Sequence, residues 1–417
     1  VVVIFGCERG PTDIESLRMA YPHEMVTMDP HAHSDLVTGT VLAGVYEGLV
    51  HFEPGLPVRA GLADRWTTPE DTVWRLHVRE GVQFHNGNML TPADVIASIR
   101  RARASGVVGH QLANIVDVQE LDDRIVEITT DVPAPLLLTR LETVAIVPVD
   151  FNPAVPVGTG PFTWRVGSVQ GPVVLQRFEN YWGENPDSRE VSIQFPSDLE
   201  ELAALIHQGR MDVVSSVTVS YVRDHEPAES WRVVSTPTAA TTYLGINLAH
   251  APLDDLRIRK AIDMAIDRAA LVDEIFMPGM ARPGNTIVSP MVFGFSPAHE
   301  NHGVDLERSR EMLREAGFHD GITFRLDVAH RYADFAEPIS RALAAAGISV
   351  EIERQTWDTF YRRLEKSDSE LFLFSWNFRV ADGSPFLALA NKDLTEFALI
   401  WGRPPAPHHG RKTHPPV

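Results

Sequence analysis

The segment from Ile322 to Phe374 constrains the fold more strongly than any other part of the chain. It alternates three predicted strands, at 322–328, 350–352 and 371–374, with two predicted helices, at 338–346 and 357–364. Strands that are separated by helices pair in parallel through right-handed crossovers. The segment therefore predicts an open α/β sheet, whose ligands bind beyond the carboxyl ends of the strands.

An earlier segment has the same order of elements. A strand at 191–195, a helix capped by Asp198 and ended by Gly209, and a strand at 211–214 predict a βαβ unit. The 417 residues exceed what one hydrophobic core usually serves, so we expect two or three domains.

Residues 61–99 predict a strand, a turn and a capped helix in direct succession. Apolar side chains alternate along the strand 74–78 and continue in a short strand at 82–84. Thr91 caps the helix, and Asp94 completes a capping box. We expect the arginines near the end of this helix to be solvated: Arg100, Arg101 and Arg103.

The charge balance argues against one class of partner. The chain carries 37 basic and 56 acidic residues, a formal net charge of -19, which repels polyanions. Nucleic-acid binding is therefore not predicted. No apolar run approaches the roughly 20 residues that a membrane-spanning helix needs.

Eight short motifs follow one another along the chain: MDPH at 28–31, YEGL at 46–49, LADRW at 62–66, WRLHVREGVQFHNG at 74–87, LTPADVIASIRR at 90–101, GTGPF at 158–162, NYWG at 180–183 and DLRIRKAIDMAID at 255–267. In this order they resemble the signature of the family 5 extracytoplasmic solute-binding proteins, the oligopeptide-, dipeptide- and nickel-binding components of ABC importers. The resemblance covers residues 24–390. It implies an α/β, two-lobed fold of the periplasmic-binding-protein type (class II, cluster C) with an extra α+β domain.

The resemblance also suggests how the chain divides. The expected parts are a signal remnant or tether at 1–23, domain I at 24–49 and 155–245, domain II at 50–154, domain III at 246–390, and a divergent, disordered tail at 391–417. The Gly-rich segment 157–162 suits a hinge or crossover between domains. The Pro-rich, basic end at 402–417 predicts disorder.

Cys7 is the only cysteine, so an internal disulfide is impossible. The apolar run Val1–Gly6 before it resembles the end of a bacterial lipoprotein signal, which predicts lipidation of Cys7. Phe5 is bulky for such a signal, and no basic segment precedes it. The alternative is a buried strand that is followed by an inert thiol.

The resemblance places the main ligand loop after the last parallel strand. Its candidate residues are Trp376, Asn377, Phe378, Arg379 and Asp382. In peptide-binding relatives an aspartate three residues after this tryptophan holds the peptide's amino group, whereas this chain has Arg379 there. An arginine repels an ammonium group and holds a carboxylate through two hydrogen bonds, unless Asp382 takes over the amino anchor. Two other interpretations stay open: Trp376 is plain core, and Arg379 pairs only with Asp382.

Weaker ligand candidates lie elsewhere in the chain: Ser34, Leu36, Tyr46, Tyr243 and Asn247. The tyrosines and Asn247 could instead satisfy hydrogen bonds at a domain boundary. His31 and His33 suit a partial metal site less well than ordinary hydrogen bonding, so no metal site and no cofactor is predicted.

These observations predict an extracytoplasmic or periplasmic binding protein of an ABC importer. It captures a small peptide-like or other carboxylate-bearing solute by hinge closure between two lobes and delivers it to the permease membrane subunits. We expect a monomer that touches the membrane only through a lipid anchor. The alternatives are a solute-sensing regulatory module and a hydrolase, but the sequence has neither a GxSxG nor an HExxH motif, and no enzyme is predicted.

Overall fold

The computed structural model describes residues 2–6, 15–21, 23–52, 58–196, 201–202, 204–205, 208–215, 231–235, 238–292, 294–296, 303–377 and 397–399. The chain forms two compact units. The first contains Val1–Ala239 and Met291–Phe293, and the second contains Ala240–Pro290, Gly294–Asn377 and residues 397–399. The expected separation of domains I and II within the first unit stays a prediction.

Among its described residues, the first unit holds thirteen strands, three complete α-helices, a 3₁₀ helix at Gly109–Leu112 and helical residues at 201–202 and 204–205. The strands are β1 (Val2–Gly6), β2 (Ser16–Ala20), β3 (Val50–His51), β4 (Arg59–Ala60), β5 (Ala63–Glu70), β6 (Val73–Val78), β7 (Ile115–Asp122), β8 (Ile125–Thr130), β9 (Phe162–Val166), β10 (Val173–Arg177), β11 (Glu190–Gln194), β12 (Val213–Ser215) and β13 (Trp231–Ser235). The helices are α1 (Leu36–Leu42), α2 (Pro92–Ala104) and α3 (Leu137–Leu141).

Seven of these strands form one sheet, in the order β13-β1-β12-β2-β11-β10-β9. β11 and β12 both pair in parallel with β2, which lies between them. Residues 201–202 and 204–205 are helical, and Leu202 and Leu205 are buried. These observations confirm the βαβ unit predicted at 191–214, although its capping residue Asp198 lies outside the described residues.

The N-terminal segment also belongs to this sheet. β1 pairs antiparallel with β12 on one side and with β13 on the other. Residues 2–6 therefore form a strand, which agrees with the alternative of a strand before Cys7. The expected signal remnant or tether at 1–23 stays a prediction. Cys7 itself lies outside the described residues.

The segment 61–99 belongs to a four-stranded antiparallel sheet, in the order β5-β6-β8-β7. The predicted alternation is confirmed, because Trp74, Leu76 and Val78 are buried on β6. The Asp94 carboxylate accepts hydrogen bonds from the backbone N–H (2.9 Å) and hydroxyl (2.6 Å) of Thr91, as expected of a capping box. The short strand expected at 82–84 is absent from this part of the structure, where Gln83 makes only an isolated bridge to Met89.

The second unit contains a mixed five-stranded sheet. Its strands are β14 (Ala240–Asn247), β15 (Ile322–Ala329), β16 (Ile348–Gln355), β17 (Leu371–Asn377) and β18 (Phe397–Leu399). Its helices are α4 (Leu256–Ala265), α5 (Arg268–Ile275), α6 (Leu306–Glu315), α7 (Ala333–Ala344) and α8 (Trp357–Glu365). The strand order is β16-β15-β17-β14-β18, and β15 pairs in parallel with both β16 and β17. The parallel sheet predicted from the segment 322–374 is confirmed.

Three boundaries in this unit differ from the prediction. α7 begins at Ala333 rather than at Pro338, because a 3₁₀ turn at His330–Tyr332 starts the helical path earlier and the helix accommodates a proline in its interior. β17 extends through Asn377, because β14 continues as its antiparallel partner. Residues 397–399 form β18 against β14, so disorder does not hold for this part of the expected tail.

The three larger sheets have separate hydrophobic cores. Phe84, Leu76 and Ile99 are among the buried side chains around the four-stranded sheet. Leu326 and Phe360 are buried in the core of the second unit. Among the described residues, no helix combines the length and the apolar character that crossing a membrane requires.

Candidate functional site

Aromatic side chains converge where the parallel strands of the second unit end. Tyr332 follows β15, Trp357 opens α8 just after β16, and Phe374 lies in the middle of β17, level with the end of β15. The carboxyl ends of parallel strands meet at one edge of a sheet, so the three rings come together. The ring centroid of Phe374 lies 5.8 Å from that of Trp357 and 6.5 Å from that of Tyr332. We call this group, together with Phe360, Tyr361 and Tyr243, the aromatic edge.

The aromatic edge has a buried base and an exposed rim. Phe360 is fully buried and stacks on Phe374 at 6.3 Å with an interplanar angle of 18°. Trp357 and Tyr361 lie 5.9 Å apart, and 38% and 45% of their surfaces are exposed. Large exposed aromatic rings on a rigid base suit contact with an apolar or planar part of a ligand.

Tyr243 completes the edge from β14. Its ring centroid lies 6.1 Å from that of Phe374. Burial, with a smaller contribution from Tyr332, raises the pKa of the Tyr243 hydroxyl above its ordinary value. The hydroxyl therefore stays neutral at physiological pH and remains able to donate a hydrogen bond.

The predicted ligand residues near Trp376 are only partly described. Trp376 is half-buried on β17 directly opposite Thr241, so it shares one face of the sheet with Tyr243 and Phe374. Asn377 ends β17 opposite Ala240. Phe378, Arg379 and Asp382 lie outside the described residues. The ligand roles of all five residues in this loop stay predictions.

Asn247 already has partners for its polar atoms. Its amide nitrogen donates to the carbonyl oxygens of Ser367 (2.9 Å) and Ser369 (2.8 Å), and its oxygen accepts from the N–H of Ala249 (3.0 Å). The side chain is fully buried. These hydrogen bonds of Asn247 hold the end of β14 against the turn before β17. The ligand role of Asn247 stays a prediction.

The weaker candidates of the first unit differ in their exposure. Ser34 is exposed and Leu36 is 45% exposed, next to Asp35, which caps α1. Tyr46 is buried, and its hydroxyl donates to the carbonyl of Met28 at 3.4 Å. The structure therefore leaves Ser34 and Leu36 open to solvent and encloses Tyr46.

The buried His31 and the partly exposed Arg101 belong to one hydrogen-bond network. Arg101 donates to the Asp29 carboxylate (2.8 Å) and to Nδ1 of His31 (2.7 Å), so the expected structural role holds, whereas the expected solvation holds only in part because the side chain is 35% exposed. Nε2 of His31 faces the carbonyl of Ala145 at 2.8 Å. Both ring nitrogens are thus engaged, and the part of the chain that the structure describes holds no group of three or more side chains that could bind a metal. Burial lowers the pKa of His31 from 6.5 to about 4.

A second network joins three of the sequence motifs. The buried Glu47 carboxylate of YEGL accepts hydrogen bonds of 2.8 Å from Thr159 of GTGPF and from Tyr181 and Trp182 of NYWG. A Cβ atom on Gly158 would lie 2.0 Å from the carbonyl oxygen of Val45, so only glycine fits there. The segment 157–162 is therefore a tightly packed crossing segment.

Sequence reasoning missed Tyr332, Trp357, Tyr361 and Phe374 as site residues. Tyr332, Trp357 and Phe374 lie at or a few residues after the carboxyl ends of predicted parallel strands. That position is the signal that could have identified them. It also missed Glu47, for which the only signal was the shared order of the motifs.

Comparison with known proteins identifies the chain's relatives. The family model of bacterial extracellular solute-binding proteins, family 5 middle, matches residues 57–395. The glutathione-binding protein GsiB of Salmonella typhi is 24% identical over 412 residues, which cover 91% of this chain and 79% of the relative. The dipeptide-binding protein of Escherichia coli K12 is 22% identical over 387 residues, or 82% of this chain and 72% of the relative.

Solved structures show the same fold. The periplasmic binding protein DppA of Helicobacter pylori, in complex with the peptide STSA, superimposes with a TM-score of 0.76 at 22% identity. The match covers 89% of this chain and 80% of DppA. The predicted fold class, of the periplasmic-binding-protein type, is confirmed. These relatives are binding proteins rather than enzymes.

Proposed function

This chain belongs to the bacterial extracellular solute-binding proteins of family 5, and we propose that it captures a small peptide-like or other carboxylate-bearing solute between two lobes that close by hinge motion. Contacts with both lobes would give the closed state its higher affinity for the ligand. The chemistry required is reversible binding, without bond formation.

The aromatic edge is the observation that carries this proposal. Trp357 and Tyr361 expose large ring surfaces at the carboxyl ends of parallel strands, where open α/β sheets bind ligands. Ligand pockets combine such apolar surfaces with a few polar groups that fix orientation. In our proposal the rings hold the apolar body of the solute.

Arg379 and Asp382 are the proposed polar anchors, although both lie outside the described residues. Arg379 would hold a carboxylate of the solute through two charge-assisted hydrogen bonds. Asp382 would hold an amino group where the solute has one. The relatives named for glutathione and for dipeptides bind molecules that carry both groups, which supports this assignment.

We further propose that the protein works outside the cytoplasm as a monomer and delivers its solute to the membrane subunits of an ABC permease. The family description supports the extracellular setting. The lipid anchor at Cys7 stays a prediction, and it conflicts with the observed sheet. A lipoprotein signal is removed before its cysteine, so that cleavage would take β1 out of its place between β12 and β13.

Native mass spectrometry of protein purified from cells tests the proposal. We expect one small carboxylate-bearing solute per chain, and calorimetry with the released molecule should show specific binding. A protein that carries no solute, and that also binds nothing from defined mixtures of dipeptides and tripeptides, contradicts the proposal.

A further inference from the structure

We propose that Asp327 is a positioning residue for Trp357, because its carboxylate holds the chain on both sides of that tryptophan. Asp327 lies on β15 and is fully buried. Its Oδ1 atom accepts hydrogen bonds from Nε2 of Gln355 and from Nη1 of Arg363, the latter at 2.5 Å. Its Oδ2 atom faces Nε of Arg325 at 3.3 Å.

The two donors to Oδ1 flank Trp357 in the sequence. Gln355 is the last residue of β16, two positions before Trp357, and Arg363 lies on α8, six positions after it. The Oδ1 atom of Asp327 on β15 thereby holds both the turn that leads into α8 and the second turn of that helix. Trp357 lies between these two attachments, with its ring 5.8 Å from Phe374 at an interplanar angle of 31°.

The charge of Asp327 is needed for this arrangement. Arg325 and Arg363 are about one-third exposed, at 31% and 33% of their side chains, and both point at a carboxylate that has no contact with water. A neutral side chain at this position would leave both guanidinium groups without their anion. Arg325 would keep its contact with the carbonyl oxygen of Asp368, whereas Arg363 would turn toward solvent. α8 would then lose its attachment to β15, and the Trp357 ring would lose its single orientation.

The consequence for ligand binding rests on the proposed function, whereas the orientation of Trp357 does not. A rigid aromatic surface binds more tightly than a mobile one, because less conformational freedom is lost on binding. Asp327 would therefore set the affinity of the aromatic edge without touching the ligand.

The first test needs no ligand. The protein is labelled with 5-fluorotryptophan, and the Trp357 signal among its eight tryptophans is assigned by its loss in Trp357→Phe. Asp327→Asn keeps the shape of the side chain and removes its charge. We expect the Trp357 fluorine resonance to shift or to split in two, while the tryptophans of the first unit keep their positions. An unmoved Trp357 resonance in the folded variant overturns the proposal.

A matched control and two milder variants complete the design. Glu337→Gln removes the charge from the exposed pair that Glu337 forms with Arg354 of β16 at 2.7 Å, and it should leave the resonance unchanged. If Asp327→Asn does not fold, Gln355→Leu and Arg363→Met each remove one donor and should each move the same resonance. The proposal is wrong if neither does.

The ligand test separates this inference from the proposed function. With the solute identified by native mass spectrometry, Asp327→Asn should weaken binding in the wild-type background and have no further effect in Trp357→Ala. Equal losses in both backgrounds would show that Asp327 does not act through Trp357. The absence of any solute would contradict the proposed function and leave the fluorine result standing.

Discussion

The hydroxyl of Thr159 donates a hydrogen bond of 2.8 Å to Oε2 of Glu47, a residue 112 positions earlier in the chain. Tyr181 and Trp182 donate to the same carboxylate, so all three of these contacts come from neutral donors. A carboxylate offers several acceptor sites and no donor, which makes it the natural partner for three converging donors.

Glu47→Gln should therefore destabilise the fold. The amide would bring its own N–H groups toward hydroxyl or indole donors, and at least one buried hydrogen bond would be lost. We expect the free energy of unfolding to fall by about 2 kcal/mol. Urea denaturation measures this change, with Glu120→Gln on the exposed side of β7 as the control. Equal stability of the two variants would contradict the role given to Glu47.

The His31 network predicts a pH dependence of stability. The pKa of His31 falls from 6.5 to about 4 in the folded protein, so below pH 6.5 the unfolded chain binds the proton first. This preferential protonation of His31 in the unfolded chain lowers the free energy of unfolding as the pH falls from 6.5 toward 4, by up to about 3 kcal/mol. We measure the free energy of unfolding at several pH values between 7 and 4.5. It should change less with pH in His31→Gln than in the wild type. His110→Gln, which changes an exposed ring, should keep the wild-type slope.

The tight packing of the crossing segment 157–162 predicts that alanine substitutions at two glycines have very different effects on stability. Gly158→Ala would place a methyl group 2.0 Å from the Val45 carbonyl oxygen, whereas a Cβ on Gly106 would meet no atom within 4 Å. We expect Gly158→Ala to lower the free energy of unfolding by about 3 kcal/mol and Gly106→Ala to change it little. Thermal denaturation of both variants tests this, and a tolerated alanine at position 158 would refute the tight packing.

The aromatic edge predicts a loss of affinity on truncation. Trp357→Ala removes one of the two exposed rings of the aromatic edge and should weaken binding of the co-purified solute about tenfold, a change of about 1.4 kcal/mol. Calorimetry with that solute measures the effect. Trp66→Ala, at a half-buried tryptophan on β5, is the control for a general effect of removing an indole. Unchanged affinity in Trp357→Ala would remove the aromatic edge from the site.

Arg379 predicts the chemistry of the solute. Arg379→Ala should weaken binding of a carboxylate-bearing solute about tenfold or more, because a charge-assisted hydrogen bond contributes about 1.5–3 kcal/mol. Binding of the same solute with its carboxylate amidated should already be weak and should respond little to this substitution. If Arg379→Ala binds the unmodified solute as the wild type does, Arg379 is not the anchor.

Much of the fold was predictable from local patterns. The parallel strands of the second unit, the alternation of Trp74, Leu76 and Val78, and the capping box at Thr91 all arise from neighbouring residues. Propensity and periodicity act over such short distances, which is why they suffice there. The start of α7 was missed because a preceding 3₁₀ turn overrode the helix-starting preference of Pro338.

The contacts of the candidate site were less predictable. Glu47 meets Thr159 and Trp182 only after the chain has folded, and no local pattern reports a partner more than 100 positions away. Arg101 was expected in solvent because its helix position suited the dipole, whereas Asp29 and His31 approach it from a distant segment. Polar contacts between residues far apart in the sequence are therefore visible only in the structure.

The position of β1 also determines when its sheet can be completed. Val2 pairs with Ser235, and Phe5 pairs with both Val213 and Arg232, so β1 leaves the ribosome more than 200 residues before its partner strands. Such distant pairing slows folding, and the apolar residues of the strand stay exposed during synthesis until their partner strands have been made. The seven-stranded sheet is thus a late product of folding, closed only when the chain has grown past residue 235.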